Sequence, residues 1–71
     1  MQVNLLKGKI VSLGIKTDTV IDKLSEQGIS MSKVTWYRKL NGQSEFDRKE
    51  IQGLIDILHL SPEETETIFF N

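Results

Sequence analysis

Helix-start and helix-stop signals follow one another so closely along this chain that they leave room for short helices and little else. The clearest start is Asp47 with Glu50 three residues on, a capping box in which each side chain can bond the other's orphan backbone N–H. Phe46 and Ile51 stand on either side of it, at the two positions a hydrophobic staple would join. Ser61-Pro62-Glu63-Glu64 repeats the box, with Pro62 at the first helical position, where a missing N–H costs nothing. Ser32 is a third cap, and Asn41-Gly42 is the matching stop, because glycine enters the left-handed conformation at little cost. Gly14 and Gly28 mark two further breaks.

Apolar spacing fills the intervals with five helical segments and no convincing strand. The first is expected from about Asn4 to Leu13, with Leu5, Leu6, Ile10 and Leu13 as its apolar face. The second runs from Thr17 or Asp18, either of which would cap it, to Ser25 or Glu26, with Val20, Ile21 and Leu24 as its stripe. Ile29 and Met31 are candidate core anchors in the connection that follows. The third spans Ser32 to Asn41. In the fourth, Ile51, Leu54, Ile55 and Leu58 trace a core face. A short fifth leads to Ile68, Phe69 and Phe70. Repeats, linkers and low-complexity stretches are missing, so residues 1–71 read as one all-α domain of four to five short helices.

A domain this small buries only about 60% of its unfolded surface, so a few well-placed apolar residues must hold it. No cysteine is present to add a disulfide or a thiolate zinc site. No apolar run approaches the roughly 18 residues that span a bilayer, and the N-terminus lacks a signal-peptide pattern, since Lys7 and Lys9 interrupt its apolar stretch. The expectation is a soluble, cytoplasmic protein with no membrane partner.

The net charge of −1 hides an asymmetry. Residues 1–40 carry seven basic and three acidic side chains, and residues 41–71 carry two basic and seven acidic. Such a domain can turn its basic half to a phosphate backbone and its acidic half away, although an acidic half would equally serve a basic protein partner.

The third segment concentrates groups suited to that basic role. Trp36 and Leu40 lie one turn apart on one face and are expected in the core, while Lys33, Val34, Tyr37 and Arg38 point elsewhere. Tyr37 is expected at the core edge. Arg38 can grip guanine O6 and N7 with two bonds, Lys33 does similar work with less discrimination, and Val34 can pack on a thymine methyl. Ser32, Thr35, Asn41, Gln43 and Ser44 are better placed for phosphate contacts, with Lys16 and Lys39 adding nonspecific attraction. Of Phe69 and Phe70, one is expected to fold back and the other to remain exposed as a protein-contact patch.

Catalytic signatures are missing. One histidine and no cysteine cannot assemble most triads or zinc sites. Gly14-Ile15-Lys16-Thr17 is not a phosphate loop, because Ile15 separates Gly from Lys and the upstream glycine is lacking. His59, at the end of the fourth segment, would favour the negative end of the helix dipole rather than a metal. The reading is a non-enzyme without cofactor or metal.

The second segment, turn and third segment (residues 17–42), followed by Asn41-Gly42, Gln43-Ser44-Glu45-Phe46 and another capped helix, resemble the Cro and repressor type of helix-turn-helix regulators. Closest in character are the small regulators of temperate phages of Gram-positive bacteria, the Cro-like modulators of repression of lactococcal phages among them. The resemblance implies a lambda-repressor-like all-α fold, with the third helix as recognition helix and double-stranded operator DNA as target. It further implies a place in a lysis–lysogeny switch and binding as a homodimer. One departure stands out: Ser25 to Met31 makes a longer connection than the family's usual tight turn of three or four residues.

An alternative keeps the fold and changes the target. An antirepressor or modulator would bind the phage lysogeny repressor protein, blocking it or joining it, with Lys33, Tyr37 and Arg38, or Phe69 and Phe70, as the contact.

Overall fold

Five helices follow the punctuation: α1 (Val3–Leu13), α2 (Thr17–Glu26), α3 (Lys33–Leu40), α4 (Arg48–Leu58) and α5 (Pro62–Phe69). The structure, a computed structural model, describes residues 1–70, and among these no strand forms. Helix α1 packs against α3, α4 and α5, while α2 packs against α3 and α4. The whole measures 26 × 23 × 22 Å.

The caps work as their residue types demand. Asp47 Oδ1 accepts the Glu50 N–H at 2.8 Å, and Glu50 Oε1 accepts the Asp47 N–H at 2.9 Å. Ser61 and Glu64 close the second box at 3.1 and 3.0 Å. Ser32 Oγ accepts the Thr35 N–H at 3.2 Å. Gly42, at φ +80°, leaves α3 in the left-handed conformation, and Gly14, at φ +67°, does the same for α1. Helix α4 ends without a glycine: His59 itself takes the left-handed position at φ 52°, so it serves as the backbone cap of the helix.

Leu6, Val20, Leu24, Trp36, Leu54 and Leu58 are fully enclosed, and Leu40, Phe46, Ile57, Leu60 and Ile68 complete the core. Burying each such side chain is worth about 1.5–3 kcal/mol, the main favourable term in a domain that has no covalent cross-link. Ile29 and Met31 pack against this core as expected of anchors between α2 and α3. Phe46 bridges two other aromatics, with its ring centroid 5.7 Å from Trp36 and 6.2 Å from Phe69. Phe69 therefore folds back, and Phe70 stays exposed. The start of the chain is tied to α5 by the Gln2 N–H, which donates to the Ile68 carbonyl at 2.7 Å.

Three expectations need correction. Leu5 and Leu13 are exposed, and only Leu6 of the first segment is fully buried, with Ile10 partly so. Helical spacing admits more than one face, and the packing of α1 on α3, α4 and α5 selects the narrower one. Neither Thr17 nor Asp18 caps α2. Ile15 packs on the core, leaving Lys16 extended as the N-cap, and the Lys16 carbonyl takes the first helical bond from the Val20 N–H. The connection between α2 and α3 runs from Gln27 to Ser32, because α2 continues through Glu26. It remains longer than a tight turn of three or four residues.

The connection is seated by a contact absent from the sequence reading. Gly53 is buried in α4, and a Cβ there would stand 2.8 Å from Gln27 Oε1 and 3.0 Å from Leu24 Cδ2. Glycine's missing side chain lets α4 approach α2 and its exit turn.

Candidate nucleic-acid interface

Helix α3 is built with a hidden back and an open front. Trp36 and Leu40 anchor the back in the core, while Lys33, Val34, Tyr37 and Arg38 are exposed. Thr35 is half-buried, and its hydroxyl receives a hydrogen bond from Ser32 Oγ at 3.1 Å. Ser32 Oγ is thus engaged twice at the cap, as acceptor from the Thr35 N–H and donor to the Thr35 hydroxyl. Its second lone pair is what remains for an outside donor. Asn41, Gln43 and Ser44 are exposed just beyond the helix. The front of α3 and the segment after it therefore bring the predicted residues onto one accessible stretch of chain.

Two lysines of this helix are not free in the way the sequence suggests. Lys39 Nζ pairs with Glu50 Oε1, and the two side chains are only 14% and 10% exposed. The same Glu50 oxygen closes the α4 capping box, so Lys39 fastens the end of α3 to the start of α4. It is a structural cation, and the expectation of nonspecific attraction from it is corrected. Lys33 Nζ lies 2.8 Å from Asp18 Oδ1, but here the side chains are 63% and 68% exposed. The Asp18 carboxylate, by hydrogen bond first and by charge second, raises the Lys33 pKa above its ordinary value. Lys33 stays fully charged, and it must leave Asp18 to reach another anion.

The start of α2 lies beside this front. Thr17 Oγ1 and Tyr37 Oη are 3.2 Å apart, so the Tyr37 hydroxyl bridges to α2 rather than pointing freely to solvent. Because Lys16 provides no side-chain cap, the first N–H groups of α2 are left for water or an anion. A shallow groove between α1, α2 and α3 is lined by Lys7, Lys16, Lys33, Asp18, Thr17 and Tyr37, so three ammonium groups share it with one carboxylate. Lys7 and Thr17 belong to this surface and were not among the expected contacts. The basic surplus of residues 1–40 was the signal that could have found Lys7, but only the fold sets it beside α2 and α3.

The arrangement offers two kinds of recognition: a line of mixed apolar and hydrogen-bonding side chains on α3, and a cationic groove with unbonded amides alongside. Among the described residues no cluster of His, Asp or Glu is arranged to hold a metal ion. Among the same residues no helix is long and apolar enough to cross a membrane. Comparison with known proteins finds no matching family model, no matching curated protein and no matching solved structure.

Proposed function

We propose that the chain is a Cro/repressor-type transcriptional regulator of a temperate phage. It acts in the host cytoplasm on a lysis–lysogeny switch, with α3 entering the major groove of operator DNA. The observation that carries this reading is the two-faced α3, anchored by Trp36 and Leu40 and open along Lys33, Val34, Tyr37 and Arg38. A recognition helix needs that division, because its back must be rigid for its front to keep register with the bases. Arg38 and Val34 read base edges, Lys33 joins them once released from Asp18, and Thr35, Asn41, Gln43 and Ser44 fix the backbone. Lys7, Lys16 and the open amides of α2 supply a phosphate seat next to the reading helix. A single module of this size covers one half-site, so operator binding proceeds as a homodimer.

The test is fluorescence anisotropy of labelled duplexes from beside the gene, titrated with the protein at two salt concentrations. Sequence-preferring binding that weakens steeply with salt, as released counterions require, supports the reading. Equal affinity for operator and scrambled duplexes, or none for either, rejects it.

A second reading is favoured by the state of Lys33 and the apolar content of the front. With Lys33 held by Asp18 and with Val34 and Tyr37 exposed, α3 also suits a protein surface. In that reading the chain is a modulator that binds the lysogeny repressor. Adding the repressor to the same titration separates the two: the modulator changes the repressor's operator curve while showing no DNA binding of its own.

A further inference from the structure

A second surface lies on α4, α5 and residues 42–46, and it shares only Ser44 with the residues assigned above to DNA. Phe70 is 67% exposed, and three shallow recesses, two of them mainly apolar and one half polar, meet at its ring. One reaches toward Phe69 and Met1, one lies against Ile51 and Ile55 of α4, and one continues over Ile55, Leu60 and Pro62. Ile51 and Ile55, one helical turn apart, form the partly buried floor, and Phe70 stands up between the recesses. A trough between two helices with an apolar floor is the shape that takes the apolar stripe of an added helix.

The rim chooses the occupant. Glu45 and Glu66 edge the outer recesses, and Asp56 is exposed on α4 one turn beyond Gln52, which itself lines the trough. Arg48 is the one basic side chain that lines the trough. The surrounding segment carries the same sign. Of the seven acidic side chains in residues 41–71, Glu50 and Glu64 are neutralised by Lys39 and Lys9, leaving five against two basic ones. Pairing this face with a second copy of itself would oppose two acidic rims, whereas a cationic partner is attracted to one.

We propose that the Phe70 trough is a docking site for a basic amphipathic helix of another protein. The apolar stripe of that helix lies on Ile51, Ile55 and Phe70, and its lysines and arginines meet Glu45, Asp56 and Glu66. This surface is independent of α3, and it stands whether or not α3 binds DNA.

The probe is a pair of helical peptides sharing one leucine stripe at i, i+3, i+4 and i+7, one with lysine on the polar positions and one with glutamate. Binding to the full chain is followed by backbone amide shifts in a two-dimensional nitrogen–proton spectrum. The lysine peptide is expected to move the amides of Ile51, Ile55 and Phe70 while leaving those of Val34 and Arg38 in place. Phe70→Ser, at an exposed position that leaves the core intact, is expected to weaken it about tenfold. Glu66→Lys should weaken it less, and that loss should fade in high salt. Equal binding of the two peptides, no binding up to millimolar peptide, or unchanged binding by Phe70→Ser overturns the proposal. So does a sedimentation experiment in which the protein dimerises through this face and Phe70→Ser abolishes the dimer, because the occupant is then a second copy.

Discussion

The two ends of α3 are held by ion pairs of opposite character. At the C-terminal end Lys39 and Glu50 meet out of water, at 14% and 10% exposure, and share an oxygen with a helix cap. At the N-terminal end Lys33 and Asp18 meet in solvent, at 63% and 68% exposure, with nothing else attached. A buried pair binds its partners in place, because either charge left alone in a desolvated site is costly. A solvated pair is exchangeable, because water or another ion can replace either member at little cost. The helix is therefore fixed where it joins the scaffold and loosely tethered where it would meet a ligand. That asymmetry suits a recognition element.

The strongest way to break this comparison is at Lys39. Lys39→Ala leaves Glu50 buried with its charge unmatched and is expected to destabilise the fold by about 3 kcal/mol, read from denaturant unfolding. Replacing both partners, as Lys39→Met with Glu50→Leu, should recover part of that loss, short of the capping-box bond that Glu50 also makes. A Lys39→Ala protein as stable as the parent would show that the pair anchors nothing.

Next in size is Arg38, which lies between the two ends, exposed and without an ion-pair partner among the described residues. Arg38→Ala is expected to cost about 1–3 kcal/mol of operator binding and to blur preference at one base pair, while leaving unfolding unchanged. An unaltered operator affinity removes Arg38 from the reading face.

Asp18→Asn sharpens the comparison from the other end. Stability should hardly move, since the pair is open to water. Operator affinity should rise, because Lys33 is released and a carboxylate next to the incoming phosphates is gone. The plot of affinity against salt should steepen, by about one unit of slope if Lys33 takes up a phosphate. Because Asp18 raises the folded-state pKa of Lys33, the tether's small contribution is fully present below the ordinary lysine pKa. It is lost as pH rises through the raised value. At neutral pH the switch between Asp18 and a phosphate is thus a competition between anions, with no change of protonation.

At both ends the sequence disclosed the cap and hid the ion pair, and for a physical reason. Caps are local: Asp47 with Glu50, Ser61 with Glu64, and Ser32 ahead of Thr35 act over three residues, so their spacing alone announces them. Trp36 and Leu40 were legible as the back of α3 because they are one turn apart on a helix with few other apolar groups. Tertiary partners leave no such trace. Lys39 and Glu50 are 11 residues apart on different helices, and nothing in either segment says that their ends meet. The same holds for Lys33 with Asp18 and for Lys7 in the α1–α2–α3 groove. The pattern also failed where a helix has more than one apolar face, as at Leu5 and Leu13. It was incomplete at Ile57, Leu60 and Gly53, whose burial is set by what packs against them.

The smallest expected effect tests whether exchangeable tethers are confined to the N-terminal end of α3. Lys9 Nζ lies 2.8 Å from Glu64 Oε2, joining α1 to the start of α5. This pair resembles the buried one in architecture, since Glu64 also closes a capping box, and at 24% and 39% exposure it stands between the two in its access to water. The Lys9 ammonium first, and the Ser61 N–H second, hold the Glu64 carboxyl below its ordinary pKa. A lowered folded-state value means that the contribution is present above the ordinary glutamate pKa and is lost as pH falls through the lowered one. Thermal unfolding of the parent and of Glu64→Gln, followed from neutral pH into acid, should show a small gap that closes over that interval. A gap that persists at the acid limit would assign the effect to the shape of the cap, with the charge irrelevant. A closing gap would show that a partly solvated tether can serve a purely structural seam, and Lys33–Asp18 would then owe its significance to its neighbours on α3 rather than to its exposure.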